Sequence, residues 1–299
     1  MDRPSYAMLD WRGAVAVTGA DAVPFLQGLV SNDVARVAPD RAIWTAFLTA
    51  QGKFLHEFMV VAAGDALLLD CERARRADLV RRLKVYRLRS QATVAEAEAQ
   101  VAVLFGPDLA EATGLDLAPG AARAVPGGVV YGDPRLPALG LRALLDPDGA
   151  AWLRGLGLAE APTAAWDRLR IGLGVPDGSR DLPPEKAILL ENGFDELHGL
   201  DWDKGCYLGQ ELTARTRYRG LVRKRLLPVA VDGPMPAPET PVTQAGREVG
   251  TVHSGAAGMA LARLRLEALE DGGALTAGAA TLAPAIPDWV SLPARPSAG

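Results

Sequence analysis

Lys204-Gly205-Cys206-Tyr207-Leu208-Gly209-Gln210-Glu211 sets a thiol between two glycines, beside a lysine, just ahead of a helical pattern. If residues 204–206 are extended, Lys204 and Cys206 project to one side, where the ammonium favours the thiolate. Gly205 and Gly209 let a ligand or partner approach the backbone and let the chain turn sharply. Residues 210–217 read as a short helix whose positive end faces back toward Cys206. The plainer alternative is a glycine-rich loop whose cysteine packs inward.

The rest of the chain sets the frame. Its 299 residues are 49% hydrophobic and 23% charged, enough to bury substantial cores in two or three domains. No apolar run approaches the ~20 residues of a membrane span, and the opening Met1-Asp2-Arg3-Pro4-Ser5-Tyr6 lacks the basic-then-apolar pattern of a secretory leader. The expectation is a soluble, cytoplasmic protein without a membrane partner. Two cysteines, Cys71 and Cys206, give no disulfide framework. A net charge of −4 and a sequence pI of about 5.5 argue against bulk attraction to nucleic acid.

Period-two and period-3.6 patterns alternate along the first two thirds. Strands are expected at 14–18, 43–49, 54–61, 66–70, 101–105, 129–131 and 139–145. Helices are expected at 20–29, 73–86, 109–113, 150–156 and 164–173. In the 73–86 segment Leu79, Val80, Leu83 and Tyr86 make the apolar stripe while the arginines form a solvated face. Residues 176–184, rich in proline and aspartate, cannot hold regular structure for long. From 222 onward short strands broken by glycine and proline suggest a small β-barrel, and 293–299 reads as a frayed tail. The fold class is α+β with antiparallel sheets.

The 204–211 octapeptide resembles the signature of the YgfZ branch of the GcvT-like folate-binding family, a branch connected with iron–sulfur cluster assembly or repair. The resemblance spans most of the chain. It begins at Gly19-Ala20-Asp21-Ala22-Val23-Pro24-Phe25-Leu26-Gln27-Gly28-Leu29-Val30-Ser31-Asn32-Asp33-Val34, and continues through Arg168-Leu169-Arg170-Ile171-Gly172, Pro184-Glu185 and Tyr218-Arg219-Gly220. It implies a ring of three subdomains around a reduced folate, tetrahydrofolate. On that plan residues 1–42 and 162–221 form the first α+β part, 43–161 the second, and 222–299 a C-terminal β-barrel.

A folate needs an apolar slot for its pterin, hydrogen-bonding groups at the ring edge and cations near its carboxylates. Asn32, Asp33, Gln51, Glu191 and Asn192 are candidates for the edge. Trp44, Phe47, Tyr86 or Trp202 could flank the ring, with core packing the alternative for each. Arg168, Arg170, Arg215 or Arg223 could meet carboxylates. In the aminomethyltransferases of the family two adjacent acids occupy the place of His56-Glu57, so the resemblance leaves Glu57 as the base for one-carbon transfer.

Cys71, Cys206, His56, His198 and His253 show no metal-ligand spacing, so no resident metal or cluster is expected. Cys71 ends an apolar strand and reads as an inert core thiol. Arg215, Arg217, Arg219, Arg223, Lys224 and Arg225 crowd cations next to Cys206, which suits carboxylates, phosphates or an acidic partner surface; an RNA-binding motif is missing. The expected function is assistance in assembling or repairing 4Fe–4S clusters of client proteins. Cys206 would be the reactive thiol, tuned by Lys204, with Gly205, Tyr207, Gly209, Gln210 and Glu211 shaping its loop. The alternatives are a folate-dependent one-carbon transferase using Glu57, and a non-catalytic adaptor docking partners through the basic loop and barrel.

Overall fold

The chain crosses between two sheets within its first eighteen residues: strand Ser5–Met8 enters one, and strand Arg12–Thr18 enters the other. The structure is a computed structural model that describes residues 3–115 and 118–292; the expected tail at 293–299 lies outside them. The first sheet has six strands in the order Ala159–Glu160, Ser5–Met8, Gln100–Phe105, Leu141–Leu145, Gly128–Gly132, Ala122–Val125. Its pairs are antiparallel except the short contact of Ser5–Met8 with Ala159–Glu160. The second is a five-stranded antiparallel sheet in the order Ile43–Leu48, Phe54–Ala63, Ala66–Glu72, Arg12–Thr18, Thr93–Ala97.

Side-chain alternation sends Trp44, Ala46 and Leu48 to one face of the second sheet, and Ile43 and Phe47 to the other. The first set meets Val101, Val103, Phe105 and Tyr131 of the six-stranded sheet, so the two sheets pack face to face. Helices Ala22–Gln27 and Arg76–Tyr86 cover the outer face of the five-stranded sheet through Phe25, Leu26, Leu79 and Leu83. Helices Leu109–Thr113 and Gly149–Gly155 do the same for the six-stranded one through Leu109 and Leu153. The result is a helix–sheet–sheet–helix stack. The five-stranded sheet joins Arg12–Thr18 to the strands after residue 43, so it crosses the boundary expected at residue 42.

Charged residues occupy the seam between the sheets. Arg12, 1% exposed, pairs with Glu57, with Asp70 at 2.8 Å and with Asp177 at 3.3 Å. Asp70 also receives Arg142 at 2.7 Å and the Tyr131 hydroxyl at 3.0 Å. Burying such charges is tolerable only because each carboxylate meets guanidinium donors. Those guanidinium groups offset the effect of burial and hold the Asp70 carboxyl below its ordinary range.

The final third closes a six-stranded barrel, Lys224–Asp232, Met259–Arg265, Arg247–Ala256, Pro241–Gln244, Leu275–Ala277, Ala280–Pro284, around Val229, Val252, Leu264 and Leu282. Helix Thr163–Gly172 fastens it: Ile171 packs on Leu226 and Leu261, and Arg170 reaches Asp181 at 2.7 Å and Ser254 at 2.8 Å. No helix among the described residues is long and apolar enough to cross a membrane.

Candidate functional site

Cys206 is exposed, on a loop running from Leu200 to the first turn of helix Gln210–Tyr218. Gly205 stands at φ +89, so 204–206 is not extended, and the expected alignment of Lys204 with the thiol is corrected. The Lys204 ammonium turns back instead to the carbonyls of Gln27 at 2.6 Å and Val30 at 2.7 Å, where helix Ala22–Gln27 ends, and lies 5.0 Å from the Tyr207 ring centre. A cation is well placed on those last carbonyls. Burial lowers the lysine to about 8, with Asp33 and Asp201 opposing the shift.

The stretch after helix Ala22–Gln27 holds the approach to the loop. Ser31 Oγ donates to Gly199 O at 2.7 Å, Asn32 Nδ2 to His198 O at 2.7 Å and to Trp44 O at 2.7 Å. Asp201 N donates to Ser31 O at 3.1 Å, and Leu208 N to Gly28 O at 3.1 Å. Gln27, which sequence reasoning passed over, bonds Asp33 at 2.8 Å, Val34 N at 2.8 Å and Lys204 O at 3.4 Å. Its only sequence signal was its place in a Phe-Leu-Gln-Gly helix end, which names no partner.

On the other side of the thiol the loop is clamped by backbone contact. A Cβ on Gly209 would lie 2.4 Å from Thr49 O, and one on Gly52 would lie 2.5 Å from Leu212 Cβ. Gln210 Oε1 accepts from Tyr207 N at 3.2 Å, tying the helix start to the loop. Burial pushes the Tyr207 hydroxyl up to about 12, so it stays protonated. Glu211 is exposed in the first helical turn. Gly205, unlike Gly209, has open space around it. The thiol therefore sits on a short accessible arch between two anchored ends.

The residues expected to hold a folate do not converge. Asn32 is buried with its amide spent on backbone carbonyls and its Oδ1 accepting from Asp33 N, and Asp33 caps the turn at Ala35. Asn32 and Gln51 line different clefts, of about 330 and 380 Å³. Arg168 and Arg215 stand exposed on separate helices, while Arg170 is buried in ion pairs. Of the aromatic candidates, Trp44 is buried and stacked on Phe194 at 4.0 Å, and Phe47 packs edge-on to Tyr86. Trp202 lies under Arg217 at 4.0 Å.

Glu191 and Asn192 differ. Asn192 is 2% exposed with Oδ1 lacking a hydrogen-bond partner. Burial raises the Glu191 carboxyl, while Arg263, Lys224 and Lys53 pull it the other way.

Glu57 cannot serve as a free base. It is 3% exposed, with one oxygen on Arg12 and the other accepting from Trp44 Nε1 at 2.7 Å. His56 faces the opposite side and meets Asp78 at 3.0 Å; burial, aided by Arg75, brings it down to about 4. Burial pushes the Cys71 thiol up to about 12, which leaves it unreactive. Among the described residues no group of three or more histidine, cysteine or acidic side chains is placed to hold a metal ion.

Residues 223–292 match the family described as CAF17, C-terminal beta-barrel domain. The human protein named iron-sulfur cluster assembly factor IBA57, mitochondrial, is 33% identical, over 94% of this chain and 84% of its own length. The Mus musculus protein of that name is 32% identical over 88% and 78%. A Neurospora crassa IBA57 homolog, also named mitochondrial, is 31% identical over 82% and 58%. The expectation of a cytoplasmic protein is overturned by these relatives, which are named as mitochondrial. Among solved structures, glycine cleavage system aminomethyltransferase T of Bartonella henselae matches with a TM-score of 0.79 at 15% identity, covering 97% of this chain and 87% of that one. The fold is GcvT-like, as expected.

Proposed function

The chain belongs to the family of iron–sulfur cluster assembly factor IBA57, and from that premise we propose that it assists assembly or repair of 4Fe–4S clusters in client proteins through Cys206. The observation that carries this reading is the exposed thiol on an arch anchored at both ends. A cluster requires several thiolate or imidazole ligands, and among the described residues no group of three or more histidine, cysteine or acidic side chains is placed to supply them. Cys206 therefore supplies one ligand to a cluster whose remaining ligands come from a partner, and the cluster is cargo rather than a resident group. Lys204, Gln210 and the two flanking glycines fix where that ligand stands. Within the family the octapeptide is read as the YgfZ-type signature.

Reduced folate remains a proposed ligand, held by Glu191 and the unpartnered Asn192 Oδ1 at the pterin edge. An orphaned buried acceptor beside a half-buried acid suits the donor edge of a pterin. Asn32, Asp33, Gln51, Arg168 and Arg215 are left to structural or surface roles. The one-carbon transferase alternative loses its base, because Glu57 is committed to Arg12 and Trp44.

The test is activation of an apo-form 4Fe–4S client by wild type and by Cys206→Ala. The variant should fold normally and fail to support activation; full activity in a folded variant would overturn the reading.

A further inference from the structure

Lys84-Val85-Tyr86-Arg87-Leu88-Arg89, at and beyond the end of helix Arg76–Tyr86, is a run of six exposed residues. Leu88 is 87% exposed, Val85 64% and Tyr86 38%. Leu79 and Leu83 of the same helix are fully buried, so Val85 and Leu88 are not spilled from an incomplete core. Leu88 also stands at φ +43, a left-handed conformation that leucine rarely adopts. The charges around it are one-sided. Arg81 and Arg82 are partly neutralised by Asp78, and Arg82 by Glu185, whereas Lys84, Arg87 and Arg89 form no ion pair among the described residues.

A cleft of about 380 Å³ opens beside this run, with Phe47, Leu55, Val85 and Tyr86 on its apolar side, Thr49 and Gln51 at the turn, and the charged Arg81, Arg82 and Glu185 at its edge. The turn that supplies Thr49 and Gln51 is the same turn that seats Gly209 of the thiol loop, through Thr49 O and Gly52. Cleft and thiol loop thus share one support.

We propose that this patch docks an acidic segment of the protein served by Cys206, an apolar side chain entering the cleft and carboxylates meeting Lys84, Arg87 and Arg89. The proposal rests on the cluster-assembly reading of Cys206. A patch of uncovered apolar residues ringed by unpaired cations suits a segment with an apolar anchor among acids. A lipid surface fits less well, because Leu79 and Leu83 of the helix are buried and leave no continuous apolar face to enter a membrane.

The probe is a short fluorescein-labelled peptide carrying leucines among glutamates, titrated against the full chain by anisotropy, with a lysine-for-glutamate peptide and phosphatidylserine vesicles alongside. The acidic peptide should bind, lose affinity as salt rises, and bind at least about tenfold more weakly to Leu88→Asp combined with Arg87→Glu. Cys206 alkylation should be equally fast in wild type and that variant. Four outcomes overturn the docking face: no binding by wild type, equal binding by the variant, stronger binding to the vesicles, or a wild-type dimer that Leu88→Asp dissociates. The two failures are separable. Loss of peptide binding overturns the docking face whatever Cys206 does, and full activity of Cys206→Ala overturns the thiol reading whatever the peptide does.

Discussion

Gly209 and Gly52 meet where neither position has room for a side chain: a Cβ on Gly209 would lie 3.0 Å from Gly52 Cα, and both residues sit at φ +79. The contact ties the thiol loop to the hairpin between the first two strands of the five-stranded sheet. Gly209→Ala combines a backbone clash with an unfavourable φ and should cost roughly 2–4 kcal/mol. Gly205→Ala meets the same backbone penalty in open space and should cost only about 1 kcal/mol. Urea unfolding of the two variants checks the order; equal losses would contradict the clamp.

Lys204 anchors the other end of the arch. Lys204→Met keeps most of the stem and removes both carbonyl contacts, leaving buried acceptors at Gln27 and Val30, for a loss of about 1–3 kcal/mol. Amide exchange at Leu208, whose N–H bonds Gly28 O, should quicken by more than the global stability change explains. If Lys204 instead acted only on the thiol, exchange at Leu208 would be unchanged.

Glu57→Gln separates a structural acid from a catalytic one. Removing one charge from a buried ion-paired cluster should cost about 3 kcal/mol, since Arg12 keeps Asp70 and Asp177. A fall in thermal midpoint is the expected readout. A fully stable Glu57→Gln protein would reopen the base assignment.

His56 gives the fold a pH dependence. Its folded value of about 4 lies below the ordinary 6.5, because burial favours the neutral ring and Arg75 and Arg82 repel a charged one, against the pull of Asp78. Between those values the unfolded chain binds a proton that the folded chain refuses, so this contribution is intact above pH 6.5 and is lost as pH falls toward 4. The carboxyl of Asp78 is itself held near 2: burial would raise it, but bonds from Arg82, Arg81 and His56 prevail, and its own contribution disappears only at lower pH. His56→Gln should flatten the decline of thermal midpoint over the upper window. An unchanged slope would place the protonation elsewhere.

The barrel and the face-covering helices were legible because their signals are local: glycine and proline spacing after 222, and apolar residues three and four apart. In the thiol loop the flanking glycines were visible, but the turn at Gly205 that parts Lys204 from the thiol was not. The seam was not. Arg12, Asp70 and Arg142 find one another across 58 and 72 residues of chain, and charges in short strands look like solvent-facing positions until their partners are known. The same blindness explains the folate candidates. Polar residues near aromatics suggested one pocket, whereas Asn32 bonds the backbone leading into the thiol loop and Asp33 caps the turn at Ala35. Ser5–Met8 and Ala159–Glu160 were missed because a strand of four residues or fewer has too little alternation to register.

On the proposed reading, an exposed Cys206 on an anchored arch supplies a ligand to a transferred cluster. The most direct measurement is activation of an apo-form 4Fe–4S client by wild type, Cys206→Ser and Cys206→Ala, with folding of each variant confirmed by circular dichroism. Both variants should be folded and at least about a hundredfold less effective, since losing even a supporting partner of a metal ligand costs about 10–100-fold. Undiminished activation by folded Cys206→Ala would contradict the account.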